Sequence, residues 1–160
     1  MMFTNVLVTG GTGFLGSRLK KVKPDWNYIS SKDYDLTDPK SCQKMYEDIK
    51  PDAVIHLAAK EGGIKENTIK QADFYYQNVM INTNVIHAAQ KYGVKRTLSA
   101  LSTCSFPAFN ANYPFTEKDI LSGPPAKSNL SYGLSKRALF VQSNSYREQY
   151  GLNYSCFCPS

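Results

Sequence analysis

The chain has 160 residues, 42% of them hydrophobic and 20% charged, and a formal net charge of +6. That length supports one core without disulfides, so a single domain over residues 1–160 is expected, and its apolar runs are far too short to cross a bilayer. The positive charge is uneven, with eight Lys/Arg against three Asp/Glu in residues 81–160, but no basic run gathers it into a nucleic-acid stripe, and an anionic small ligand accounts for it.

The first predicted element is a strand, Asn5–Thr9 (NVLVT). The opening "MMFTNVLVTGG" passes straight into it and leaves no room for a signal peptide, so a cytoplasmic setting is expected. Cys42, Cys104, Cys156 and Cys158 then read as free thiols, and their spacing is not that of a zinc site. After the strand comes "TGGTGFLGSRL", which opens a predicted helix over Phe14–Lys21. Gly10 permits a tight turn, Gly13 lets backbone approach a pyrophosphate, and Gly16 lets the helix lie close to the sheet. The helix start adds unpaired N–H groups and a partial positive charge. Gly10, Gly11, Thr12, Gly13, Phe14, Leu15 and Gly16 are therefore the expected cofactor cradle. The bland alternative is an ordinary glycine-rich turn, and a P-loop is excluded because no Gly-Lys-Ser/Thr follows.

A second strand is predicted at Trp26–Ile29 and ends in Ser30-Ser31-Lys32. NAD-specific sites commonly carry a carboxylate at this point; two hydroxyls and a cation suit a 2′-phosphate. Ser31 and Lys32 thus favour NADP(H) over NAD(H). Asp38-Pro39 reads as an N-cap followed by proline, starting a helix over Pro39–Lys50. The strand Ala53–Ala58 (AVIHLA) and the helix Ala72–Tyr92 follow, with Gly93 as a left-handed cap. Next come the strand Thr97–Leu101 and the proline-rich segment Ser105–Leu130, which is expected to form a long surface excursion without regular structure. The helix Tyr132–Tyr150, a cap at Gly151 and the strand Tyr154–Phe157 complete the pattern. Strands alternating with helices predict an α/β fold, a Rossmann-type doubly wound parallel sheet with helices on both faces. Cys156 and Cys158 would lie on one face of the last strand, an apolar edge that invites strand pairing.

The sequence holds three Tyr-x-x-x-Lys pairs, Tyr28/Lys32, Tyr46/Lys50 and Tyr132/Lys136, where chance expects about one. Spacing alone therefore decides nothing. Tyr28 sits on a strand, and Tyr46/Lys50 on a helix between the second and third strands. Tyr132 and Lys136 share a helical face, and "LSTC" after the fourth strand supplies Ser102, Thr103 and Cys104 at the carboxyl edge, where open α/β sheets bind ligands. An ammonium beside the phenol is expected to favour phenolate. Such a tyrosine can pass a proton to a carbonyl oxygen that Ser102 also holds, while Lys136 can hold a nicotinamide ribose.

Together "TGGTGFLG", "HLAA" after the third strand, Ser102 and Tyr132-x-x-x-Lys136 resemble the extended short-chain dehydrogenase/reductase superfamily. Within it, "HLAAKEGGIKEN", "ADFYYQN", "NVIHAA", "STCSFP" and "SYGLSK" resemble the GDP-L-fucose synthase family, and the match is to about the N-terminal half of such an enzyme. The resemblance implies that Tyr132 is the reductase acid, Lys136 its tuner and ribose ligand, and Ser102 the carbonyl partner. It implies that Cys104 is one of two acid/base groups moving protons at C3 and C5 of a GDP-4-keto-6-deoxy sugar. It also adds Leu57, Ala58, Ala59, Leu101 and Pro159 to the cofactor site. A homodimer through the two long helices, with a nucleotide sugar as substrate, is implied as well. The family's other epimerisation residue is a histidine after the fifth strand, whereas this chain has His56 and His87, both upstream and both read as structural. The family continues past Ser160 into a sugar-nucleotide-binding region. The chain alone is thus expected to bind NADP(H) and to turn over the GDP-keto sugar poorly or not at all. Another sugar-nucleotide epimerase/dehydratase and a non-catalytic NADP(H)-binding module remain as alternatives.

Overall fold

Five of the apolar runs become one parallel sheet in the computed structural model, which describes residues 3–109 and 113–159. The strands are β1 (Val6–Thr9), β2 (Asn27–Ile29), β3 (Ala53–His56), β4 (Arg96–Ala100) and β5 (Asn153–Phe157), in the spatial order β2-β1-β3-β4-β5. Thr9 stands opposite both Ile29 and His56, and His56 opposite Ser99, so the strands finish along one edge. The strand order reverses between β1 and β3. Loops leaving two such strands diverge, and a crevice opens between them. All four residues of β1 are buried, as in a strand covered on both faces.

The helices are α1 (Phe14–Val22), α2 (Pro39–Ile49), α3 (Gly63–Ile69), α4 (Gln71–Lys91) and α5 (Leu130–Tyr150). Right-handed crossovers put α1 on one face of the sheet and α2, α4 and α5 on the other. There α4 packs against both α2 and α5. Val85, Ile86 and Leu139 are fully buried at this layer, each contributing roughly 1.5–3 kcal/mol through the apolar surface it removes from water. Asp38 caps α2 by accepting the Lys40 and Ser41 amides at 3.1 and 3.2 Å, with Pro39 at the first helical position. Gly93 and Gly151 follow α4 and α5 with φ of +71° and +66°, the left-handed turns expected of them.

Helix α3 has no counterpart among the predicted elements. Its seven residues, GIKENTI, are too short to show a helical period. Among its described residues the proline-rich excursion carries the 3₁₀ turns Glu117–Leu121 and Lys127–Asn129. The Asp119 carboxylate accepts the Thr116 amide and hydroxyl at 2.7 and 2.9 Å, and Ile120 is buried in the core, so this surface segment is anchored. β5 lies at the edge of the sheet, as expected.

Candidate functional site

β1 delivers the chain into Gly10, whose φ is +72°, a conformation that side-chain-bearing residues rarely adopt. A Cβ at Gly10 would stand 2.8 Å from the Ala58 nitrogen, so this glycine brings the loop after β1 against the loop after β3. The Gly13 amide returns to the Gly10 carbonyl at 3.0 Å, closing the turn. Gly16 is buried; a Cβ there would overlap the Gly10 carbonyl oxygen and lie 2.7 Å from the Gly11 Cα. Gly11 packs on β2: its amide donates to the Ile29 carbonyl at 2.8 Å, and a Cβ would meet that of Tyr28 at 2.7 Å. Gly13 differs from these three. Its Cβ would meet the Gly10 oxygen at 3.2 Å and otherwise point into open space. Gly13 is also the N-cap of α1, where no side chain caps the helix and no acid occupies the first turn. The first-turn amides, from Phe14, Leu15 and Gly16, are thus left to an anion. This cradle fits a dinucleotide pyrophosphate. The Phe14 ring itself is exposed, with the Arg18 guanidinium 5.4 Å from its centroid.

The crevice beside the cradle has a volume of about 330 Å³, with Gly10, Thr12 and Gly13 on one wall and Leu57, Ala58 and Ala59 on the other. Ser30 and Ser31 close it at the end of β2. Lys32 lies outside this lining, its amide donating to the Ser30 hydroxyl at 3.3 Å. Two carboxylates near the β2 end are already engaged. Asp33 accepts the Ser30 amide and hydroxyl, both at 2.8 Å, and Asp35 accepts the Thr37 amide and hydroxyl at 2.9 and 2.7 Å. Those hydrogen bonds hold both groups below the usual carboxylate range. Asp35, Leu36 and Lys60 line the crevice too, and sequence reasoning did not single them out. The Lys60 backbone is clamped by buried Asn78, which accepts its amide at 2.8 Å and donates to its carbonyl at 2.7 Å. A lone Asn inside α4 gives no sequence signal for that role.

The second cluster forms where α5 meets the end of β4. Lys136 is 2% exposed; its Nζ donates to the Ala100 carbonyl at 2.8 Å and lies 5.8 Å from the Tyr132 ring centroid. After Leu101, Ser102 Oγ accepts the Cys104 amide at 3.2 Å, which starts a tight turn. Gly133 lets the helix press on that turn: a Cβ there would overlap the Cys104 carbonyl oxygen and stand 3.0 Å from the Pro125 Cβ. Arg137 Nε donates to the Ser105 carbonyl at 2.6 Å. Gly133 and Arg137 thus hold the Ser102–Ser105 turn to α5, and Lys136 holds α5 to the end of β4, which brings Tyr132, Lys136, Ser102 and Cys104 to one edge. The other two pairs are occupied elsewhere. Tyr28 donates to the Lys23 carbonyl at 2.9 Å, and Tyr46 donates to the Val85 carbonyl at 2.9 Å within the core. Pro159, exposed beyond β5, stands outside the crevice lining.

Protonation at this cluster departs from the sequence expectation. Burial pushes Tyr132 up to about 12, with the Glu61 carboxylate and the Cys104 thiol adding to the rise. Burial lowers Lys136 to about 8. The Lys136 ammonium donates to the Ala100 carbonyl, and burial governs the phenol. Tyr132 is a neutral phenol at neutral pH, the form that can give up a proton.

A parallel sheet with a glycine-rich turn and a helix start at the carboxyl edge of its strands defines a Rossmann-type α/β protein. Residues 6–160 match the NAD dependent epimerase/dehydratase family, and the chain belongs to it. It is 40% identical over 161 residues to a probable GDP-L-fucose synthase of Drosophila melanogaster, across 96% of this chain and 50% of that protein. It is 37% identical over 162 residues to the GDP-L-fucose synthase of Dictyostelium discoideum, across 97% and 50% respectively. A solved structure of a GDP-L-fucose synthetase from Naegleria fowleri bound to NADP superimposes with a TM-score of 0.85 at 35% identity, over 99% of this chain and 53% of that one. The chain therefore spans about half the length of the curated relatives it matches. No helix among the described residues is long and apolar enough to cross a membrane, and no three of their His, Cys, Asp or Glu residues group as a metal site.

Proposed function

We propose that this chain is the NADP(H)-binding half of a GDP-sugar epimerase/reductase of the GDP-L-fucose synthase kind, acting on GDP-4-keto-6-deoxy-D-mannose. The observation that carries the reading is the stitching of Ser102, Cys104, Tyr132 and Lys136 into one cluster at the edge that also holds the glycine cradle. The NADP in the Naegleria fowleri relative supports the cofactor, as does the engagement of Asp33 and Asp35, which leaves Ser31 and Lys32 to face a 2′-phosphate. When bound, the reduced cofactor supplies hydride for the C4 carbonyl carbon.

The chain's own residues do the rest. Tyr132 gives its proton to the carbonyl oxygen while the Ser102 hydroxyl hydrogen-bonds the same atom. Lys136 is the residue that would hold the nicotinamide ribose. Cys104 moves a proton at a carbon flanking C4, whose hydrogens the ketone acidifies, so this step precedes reduction. His56 lies inside the sheet and His87 is bonded to the Tyr146 hydroxyl at 2.8 Å, so neither serves as the second proton carrier. Turnover by this chain alone is expected to be slow or absent. The reading also assigns a cytoplasmic setting, and self-association to α4 and α5, where Tyr75, Tyr76 and Val141 are exposed. A monomeric mass in sedimentation would contradict the latter.

Amide and tyrosine-ring NMR spectra recorded during NADPH addition test the site. The amides of Thr12, Phe14 and Leu15 are expected to shift together with the Tyr132 ring. Shifts that spare either group contradict the proposal.

A further inference from the structure

Between the glycine loop and α5, the sheet interior holds a line of polar groups that the proposed chemistry does not use. His56, the last residue of β3, is fully buried. Its Nδ1 lies 2.8 Å from Thr9 Oγ1 and its Nε2 lies 3.0 Å from Asn82 Oδ1. Thr9 Oγ1 in turn accepts the Ala58 amide at 3.3 Å, and Asn82 Nδ2 donates to the Ser135 carbonyl at 3.2 Å. Thr9, Asn82 and Ser135 are all buried.

The two ends fix the tautomer. Asn82 turns its nitrogen toward a carbonyl, so its oxygen faces His56, and Nε2 must carry the proton. The neutral ring then presents a bare Nδ1, to which the Thr9 hydroxyl donates while it accepts from Ala58. Burial, with the Lys136 ammonium nearby, keeps the ring neutral, lowering it to about 3. Every donor along the line thus meets one acceptor. Apolar residues would fill the same space without the desolvation of three polar side chains, so plain packing does not call for this line. Its ends fall on the two halves of the site: Ala58 walls the crevice against Gly10, and Ser135 lies on α5 between Tyr132 and Lys136.

We propose that Thr9, His56 and Asn82 form a positioning relay that holds the dinucleotide loop and the Tyr132–Lys136 helix at a fixed spacing, with His56 as its hub. The proposal rests on the dinucleotide-binding reading above. His56 acts through its two neighbours and moves no proton to substrate.

Three variants test it: Thr9→Val keeps the side-chain shape without the hydroxyl, Thr9→Ser keeps the hydroxyl, and Asn82→Leu cuts the line at its far end. Amide hydrogen exchange without nucleotide, the His56 ring ¹⁵N shifts and NADPH affinity are measured where each variant is folded. Thr9→Val is expected to speed exchange at Ala58 and weaken NADPH binding, each by about tenfold, the scale of one buried hydrogen bond. Thr9→Ser is expected to restore both to within about twofold. Asn82→Leu is expected to speed exchange at Ala58 as well, across the whole relay, and the wild-type ring to be protonated at Nε2. The relay is overturned if Thr9→Val behaves as Thr9→Ser does, if Asn82→Leu leaves Ala58 unchanged, or if the ring is protonated at Nδ1. A wild-type chain that binds no NADPH defeats the cofactor reading, and the exchange and ¹⁵N data still decide the relay.

Discussion

The turn after β1 and the Tyr132–Lys136 edge after β4 solve the same problem, holding polar groups still, by opposite means. The cradle does it with missing side chains: Gly10 and Gly16 let backbone meet backbone, and Gly11 lets backbone meet the Tyr28 side chain, where a Cβ would collide. The edge does it with long side chains sunk into the protein, as Lys136 and Arg137 reach back to the carbonyls of Ala100 and Ser105. Rigidity in the first is steric and indifferent to pH; in the second it depends on charges that burial has shifted.

Substitutions sharpen that contrast, beginning with the largest effect. Gly16→Ala drives a Cβ into three backbone atoms of the loop, and about 3 kcal/mol of stability, together with NADPH binding, is expected to be lost. Urea unfolding measures the first and fluorescence titration the second. Gly133→Ala is the counterpart at the Tyr132–Lys136 edge. It pushes α5 off the Cys104 carbonyl, at a cost of about 2 kcal/mol in the same unfolding assay, while leaving the cradle's amides in place by NMR.

A pH comparison separates the regions further. Lys136 falls from an ordinary 10.5 to about 8 in the folded chain. Between those values the unfolded chain holds a proton that the folded chain has released, so this residue's contribution to stability rises with pH across that window. Relative to Lys136→Met, the wild type is expected to gain up to about 1.4 kcal/mol per pH unit there. Urea unfolding of both proteins at points from pH 8 to 10 checks the slope; parallel curves contradict the buried ammonium. Gly13→Ala is expected to change stability least, by under about 0.5 kcal/mol, because its Cβ points into the open crevice. It is nonetheless expected to weaken NADPH, since the proposed function puts the pyrophosphate in that space.

The same contrast explains what could be read before the structure. Glycines at residues 10 and 16 record close approaches directly, and Asp38-Pro39 and Gly151 record helix ends, so the turn after β1 and most elements were legible. β3 stops two residues short of the Ala53–Ala58 that the sequence pattern predicts, because the Ala58 amide leaves the ladder for the Thr9 hydroxyl, a contact across 49 positions. The Tyr132–Lys136 pair was legible as a candidate, but its protonation was not. Sequence places an ammonium four residues from a phenol; only the fold shows that the ammonium is taken up by Ala100 and that burial governs the phenol. Asn78, Asp35 and Asn82 were invisible for the same reason, since their partners are chosen by tertiary structure.

The most direct test is a fluorescence titration of the purified chain with NADPH and, in parallel, NADH. Saturable NADPH binding, tighter than that of NADH by about tenfold or more, is the result expected if the α1 amides and the Ser31–Lys32 corner hold a phosphorylated dinucleotide. A chain that saturates with neither nucleotide contradicts the account at its root.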